Sequence, residues 1–232
     1  MIRTVLKERI ASNSMLPFVV KDEVVNHTMH IEPFFPTPIG ITQIDKTLNK
    51  KILEIIKIKQ FKYIKYPDGN NVSSDFYILD NDEFSDIKKV LTDSVNEYFK
   101  EIVNSGEDME LYITTSCINV TKNGEMHPPH RHANSIVSAV LYIDTCERDT
   151  IAFMNPNISI FGNFRFTDTP APSWLAPEWN IPIKMNTLLI FPSTLPHLVR
   201  PRPNTCTGTR ISLAFNTWIR GRIGGHLDIL MC

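Results

Sequence analysis

The chain has 232 residues, enough for one large domain or two small ones with a sizeable core. Its 42% apolar and 21% charged residues are those of an ordinary globular protein, and a formal net charge of −1 gives no reason to expect nucleic acid or an anionic membrane as partner. No apolar run is long enough to span a bilayer, and the charge-interrupted start Met1–Arg9 lacks the apolar core of a signal peptide, so a cytoplasmic location is the expectation.

In chain order, residues 1–30 are weakly patterned and read as an N-terminal arm, while 31–232 read as a single domain, since no linker divides its helical part from its strands. The stretch Ile31–Thr42 predicts an extended opening strand, kept to a sheet edge by Pro33, Pro36 and Pro38. Asp45 fits the N-cap of a helix through about Lys59, with Leu48, Ile52, Ile55 and Ile56 at helical spacing. After the turn Pro67-Asp68-Gly69, Phe76–Leu79 predicts a strand. A second helix follows over about Asp82–Asn104, striped by Phe84, Ile87, Val90, Leu91, Val95, Tyr98, Phe99 and Ile102.

From Glu110 on no helical period remains. Strands are predicted near 111–120, 136–143, 150–154, 164–167, 181–185, 187–192 and 210–218. The fold class is α+β, mainly β: a helical layer over about 45–104 on a β-sandwich or barrel over about 110–220. Residues 155–180 form a long insertion that lines a pocket or simply covers surface. Cys117, Cys146, Cys206 and Cys232 are too widely spaced for a zinc cluster or a thioredoxin-type pair; Cys117 and Cys146 read as buried thiols, and none of the four is given a role.

Chemistry concentrates in His127-Pro-Pro-His130-Arg-His132, which holds three of the seven histidines. Pro128 and Pro129 rule out helix, and on an extended chain the imidazoles of His130 and His132 leave the same face, where they can hold one metal ion. A third ligand must come from elsewhere. His197 opens an extended piece after the Pro-bounded turn that follows the apolar strand Leu188–Phe191. A histidine in that setting is more often structural; its pairing with the His-x-His at a strand mouth makes it the third ligand. His127 is a spare ligand at best and reads rather as a surface residue.

Thirteen residues beyond His197, Arg210, Ser212, Ala214 and Asn216 share one face of a strand, with Ile211, Leu213 and Phe215 on the other. A buried guanidinium needs an anion. That anion is either an internal Asp or Glu, or a carboxylate ligand held in two places with help from the Ser212 hydroxyl.

This order of His-x-His, apolar strand, Pro-turn histidine and Arg-x-Ser resembles the iron(II)/2-oxoglutarate-dependent dioxygenases, most of all the members related to prolyl hydroxylases that are common in marine bacteria and tailed phages. The matching pieces are Ile118-Asn119-Val120, Asn123-Gly124, Pro128–His132, Ser138–Tyr142, Phe191–His197, Arg210-Ile-Ser212 and Phe215-Asn216. Phe34–Pro38 also resembles that group's N-terminal strand. The resemblance implies a double-stranded β-helix (jelly-roll, cupin-like) with helices packed on one sheet and one iron at the open end. His130 and His197 are then iron ligands, with His132 standing where most of the superfamily has Asp or Glu, which leaves the site one unit more positive. Arg210, supported by Ser212, pairs with the distal carboxylate of 2-oxoglutarate, and Asn119 and Tyr142 are further candidates for cosubstrate contact. The implied reaction consumes O₂, converts 2-oxoglutarate to succinate and CO₂, and hydroxylates an unactivated C–H of a protein, peptide or small molecule. A phage origin would place it in the host cytoplasm.

Two other readings compete. A metal cupin would also fit Gly124 followed by His130-x-His132, although Ala133–Val137 lacks the glutamate cupins add there. The three-histidine iron form of such a cupin, working without 2-oxoglutarate, leaves Arg210 without its oxoacid. A non-catalytic jelly-roll binding or structural module makes the histidines incidental. Substrate and oligomeric state are not readable from the sequence.

Overall fold

In the computed structural model, which describes residues 36–67, 69–103, 108–156, 176–224 and 230–231, two antiparallel sheets lie over one another with two helices on the outer face of the larger. The arm assigned to 1–30, the strand expected at 164–167 and most of the 155–180 insertion lie outside the described residues. What is described belongs to one compact unit running from Phe35 to Cys232.

The larger sheet contains β1 (Gly40–Gln43), β2 (Tyr63–Lys65), β3 (Asn71–Ser73), β4 (Met109–Thr121), β6 (Val137–Asp144), β9 (Thr187–Pro192) and β11 (Arg210–Ile223), in the order β1-β9-β6-β11-β4-β3-β2. A short β12 (Leu230–Met231) pairs with β11. The smaller sheet contains β5 (His127–His130), β7 (Thr150–Met154), β8 (Glu178–Pro182) and β10 (His197–Val199), in the order β5-β10-β7-β8. This is the expected double-stranded β-helix architecture.

Residue parity decides what each face of the larger sheet meets. Val137, Ala139, Leu141 and Ile143 of β6, Leu188 and Ile190 of β9, and Leu213 and Phe215 of β11 point to the helices. The intervening Tyr142, Leu189 and Phe191 point to the smaller sheet, where they meet Ile151, Phe153 and Val199. Both faces are therefore covered, and each fully buried Leu, Ile or Phe adds roughly 1.5–3 kcal/mol.

The helices follow the sequence closely. In α1 (Lys46–Lys59) the Asp45 carboxylate accepts the Thr47 N–H at 2.7 Å, and the helix ends where Gln60 turns left-handed at φ 46°. Along α2 (Ser85–Val103), Ile87, Leu91, Val95, Tyr98 and Phe99 are buried; Val90 and Ile102, at the margins of the stripe, are exposed. No helix among the described residues is long and apolar enough to cross a membrane.

Two expectations are corrected. The apolar run Phe76–Leu79 is not a strand: Tyr77 makes a single bridge to Ser116 and the chain turns into a 3-10 helix over Ile78–Asp80. The cause is local, because Asp75 accepts the Tyr77 N–H at 2.8 Å and the Ser116 hydroxyl takes the Leu79 N–H at 2.8 Å. The second correction concerns cysteine. Cys146 and Cys206, sixty residues apart, form a disulfide, while Cys117 is free. Ile211 opposite Asp144 explains it: the chain leaves β6 and enters β11 at the same end of the sheet, so their flanking loops are neighbours.

Candidate active site

β5 and β10 are hydrogen-bonded neighbours, and His130 and His197 are register partners across them. His132 follows two residues later, anchored by its N–H to the Ser193 carbonyl at 3.0 Å. The three rings converge at one end of a pocket of about 280 Å³ between the sheets, with candidate ligand atoms all within 4.8 Å of one another.

Each ring has its Nδ1 facing an oxygen: Pro128 O for His130 at 2.8 Å, Leu195 O for His197 at 3.0 Å, and Asn216 Oδ1 for His132 at 2.5 Å. Carbonyl oxygens only accept, so each imidazole donates from Nδ1 and keeps a bare Nε2. The Nε2 atoms of His132 and His197 stand 3.3 Å apart. Two lone pairs so placed repel unless a proton or a cation lies between them. A proton is disfavoured, since burial lowers all three pKa values and, with repulsion from His130, carries His197 down to about 3. Three neutral imidazoles with free Nε2 atoms fit a divalent first-row metal.

The orientation of His132 is itself supported. Asn216 Oδ1 also accepts from Ser138 Oγ at 2.8 Å, and Asn216 Nδ2 donates to Thr115 Oγ1 at 3.0 Å. Ser138, Ser193 and Ser135 continue as a chain of hydroxyls at 2.7 and 2.6 Å. Ser138 donates to Asn216 Oδ1, which stays an acceptor toward His132, while the Ser135 hydroxyl also reaches the Val137 and Thr217 carbonyls at 3.1 and 3.2 Å. Such supports outside the ligands fix tautomer and ring plane. Asn216 was on the right face in the sequence but carried no sign of this role.

His127 is not the surface residue expected. Its ring stacks on His130 with centroids 4.1 Å apart and lines the pocket. The register explains why: His130 is opposite His197 but His127 is opposite Val199, so three steps on β5 match two on β10. That bulge shifts the alternation and turns His127 to the face it would otherwise leave. Burial, with repulsion from His130, His132 and Arg210, carries its pKa down to about 4.

In the same pocket, Arg210, Ser212, Ala214 and Asn216 all face inward, as their alternation predicts. Ser212 is opposite Asn119 on one side and Tyr142 on the other, and Arg210 is opposite Thr121, whose Oγ1 accepts from Nη2 at 3.2 Å. All seven residues singled out from the sequence thus line one pocket: His130, His132, His197, Arg210, Ser212, Asn119 and Tyr142. Buried Asn70 joins them, donating to Asn119 Oδ1 at 2.8 Å while its own Oδ1 has no protein partner.

Arg210 does have an internal acid. Its Nη1 is 3.5 Å from Asp149 Oδ1, but Arg202 Nε also reaches that carboxylate, at 3.3 and 3.5 Å. Asp149, Arg202 and Arg210 are 1%, 2% and 4% exposed, so two guanidiniums share one carboxylate out of water. Burial raises the Tyr142 phenol pKa, so it stays neutral and supplies no second anion. One positive charge is left over, on the residue that faces the pocket. Neither Asp149 nor Arg202 was singled out from the sequence; each is one of several charges in its loop until the fold joins them. Cys146, Asp149 and Cys206 also cluster, but the sulfurs are joined and the carboxylate is taken, so they form no second cation site.

Residues 115–216 match a family described as "Putative 2OG-Fe(II) oxygenase". A prolyl-4-hydroxylase from Pseudomonas putida is similar in structure at 13% identity and a TM-score of 0.54, over 81% of this chain and 94% of that one. SnoN, a non-heme α-ketoglutarate-dependent epimerase of nogalamycin biosynthesis, is similar at 12% identity and a TM-score of 0.57, over 82% and 83%. HygX from Streptomyces hygroscopicus, solved with nickel, 2-oxoglutarate and hygromycin B, is similar at 11% identity and a TM-score of 0.53, over 78% and 82%. No curated protein is significantly similar in sequence. At such identities the structural likeness speaks for the fold.

Proposed function

We propose that this chain is an iron(II)- and 2-oxoglutarate-dependent oxygenase that hydroxylates a C–H bond of a protein, peptide or small molecule, a reading supported by the family match over residues 115–216 and by the fold. Residues 31–232 act as its single domain. One observation carries the reading: a pocket with three free imidazole Nε2 atoms also contains an arginine whose charge is only half neutralised.

His130, His132 and His197 would hold the iron. Bound iron and cosubstrate supply O₂ activation coupled to the decarboxylation of 2-oxoglutarate. The chain's own part is binding and orientation. Arg210, with the Ser212 and Thr121 hydroxyls beside it, holds the distal carboxylate of the cosubstrate and offsets its charge. Val140, Ile151 and Val199 form apolar walls that exclude water and strengthen this ion pair. Asn119 and Tyr142 contact the cosubstrate, with Asn70 steadying Asn119.

A three-histidine site that works without 2-oxoglutarate satisfies the ligands but leaves the surplus charge beside Asp149 unanswered. A non-catalytic jelly roll accounts for neither feature. The structurally similar proteins include a hydroxylase and an epimerase, so the class is compatible with either outcome at the substrate carbon. The test supplies Fe(II), O₂ and 2-oxoglutarate and measures succinate, alongside calorimetry of 2-oxoglutarate binding to the Ni(II)-loaded protein. Succinate that requires all three components supports the proposal. No succinate together with no uptake of 2-oxoglutarate overturns it.

A further inference from the structure

Asp149 reaches Arg210, Arg202 reaches Asp149, and neither Asp149 nor Arg202 lines the pocket. Asp149 is held on its far side as well: the Cys146 N–H donates to its Oδ2 at 2.9 Å, and its own N–H donates to the Cys146 carbonyl at 3.1 Å. Arg202 Nη1 donates to Asn123 Oδ1 at 2.8 Å and to the Gly208 carbonyl at 2.7 Å, and Nη2 donates to the Thr207 carbonyl at 3.3 Å. The Cys146–Cys206 disulfide fastens the loop that carries Asp149 to the loop that surrounds Arg202. The carboxylate is therefore fixed between two cations and cannot turn fully toward either.

We propose that Arg202 sets the affinity of the pocket for 2-oxoglutarate from behind, by sharing Asp149 with Arg210 so that Arg210 keeps charge for an incoming carboxylate. This rests on the cosubstrate reading above and goes beyond it: Arg202 is a positioning residue that acts through Asp149, without touching the ligand. Removing the Arg202 charge leaves Asp149 to neutralise Arg210 alone, and the distal carboxylate then meets a guanidinium whose charge is already answered. Removing both charges restores the surplus.

Substitution of Arg202 has a favourable backdrop. Its backbone stays tied in both directions, through the Gly124 N–H to its carbonyl at 2.9 Å and its own N–H to Glu125 O at 3.0 Å. The experiment is calorimetric titration of 2-oxoglutarate into Ni(II)-loaded protein, with Ni(II) affinity measured separately. Arg202→Met is expected to weaken 2-oxoglutarate binding at least tenfold and to leave Ni(II) affinity within threefold. The double variant Arg202→Met/Asp149→Asn is expected to return to within threefold of wild type, which a purely structural role for Arg202 does not allow.

Unchanged 2-oxoglutarate binding in Arg202→Met, or a double variant no better than the single one, overturns the proposal. If Arg202→Met does not fold, Asp149→Asn decides: it raises the buried charge and is expected to tighten 2-oxoglutarate at least threefold, and weaker binding overturns the proposal. Wild type that takes up Ni(II) but no 2-oxoglutarate removes the cosubstrate reading and this inference together; normal wild-type uptake with an indifferent Arg202→Met removes this inference alone.

Discussion

His132 and His197 face each other with their Nε2 atoms 3.3 Å apart, each having committed its ring proton to an oxygen on the opposite side. A cation between them converts a repulsion into two bonds. At a concentration one hundred times Kd, Ni(II) or anaerobic Fe(II) should stabilise the fold by about 2.7 kcal/mol. For a chain of this size that corresponds to a rise in Tm of about 5–10 °C. His197→Ala should abolish the rise. Thermal unfolding with and without metal checks both, and an unchanged wild-type Tm contradicts the metal assignment.

Arg210→Met should weaken 2-oxoglutarate binding by about 10- to 100-fold, the loss expected for charge-assisted hydrogen bonds worth roughly 1.5–3 kcal/mol. Metal affinity should stay within about threefold, because no histidine hydrogen bond involves Arg210. Calorimetry resolves the two. Equal losses in both would mean that Arg210 merely supports the fold.

Asn216→Ala removes the acceptor that keeps the His132 proton on Nδ1. The ring can then place its proton on Nε2 and lose its lone pair. Metal affinity should fall by roughly 10- to 100-fold, with the cosubstrate clamp intact once metal is saturating. A competition titration against a coloured chelator measures the effect.

Stability without metal should fall in acid. The folded-state pKa values of His127 and His197, about 4 and about 3, lie below the ordinary value of 6.5. Between those limits the unfolded chain binds more protons than the folded one, so stability drops as pH falls from about 7 toward 4. Urea midpoints at pH 7.5 and 5.0 should differ more for wild type than for His127→Gln. Equal differences would mean that His127 is not buried as described.

The sequence was most legible where spacing alone fixes geometry. Asp45 and the Ile52/Ile56 spacing predict α1, and the alternation of Arg210, Ser212, Ala214 and Asn216 predicts which side chains face the pocket. It was least legible where a contact depends on two distant loops. Asp149 joins Arg202 and Arg210 only because β6 and β11 are neighbours, and the same adjacency makes a disulfide of two cysteines that look unrelated in the chain. His127 was misplaced because a bulge carries no residue signature, and Phe76–Leu79 because one aspartate outweighs an apolar run. The rule behind all four is that periodicity reports faces, whereas partners are decided by topology.

The direct pairing of His130 with His197 ties recognition to folding. These two rings stand opposite each other on one rung of the ladder, so whatever draws them together also closes the short strands that carry them. A loaded centre should slow amide exchange along His127–His130 and His197–Val199 far more than along β4 or β6, whose cohesion comes from the helices behind them. The ion would then serve as the missing stitch of the smaller sheet, and losing it would let that seam fray while the rest of the sandwich held.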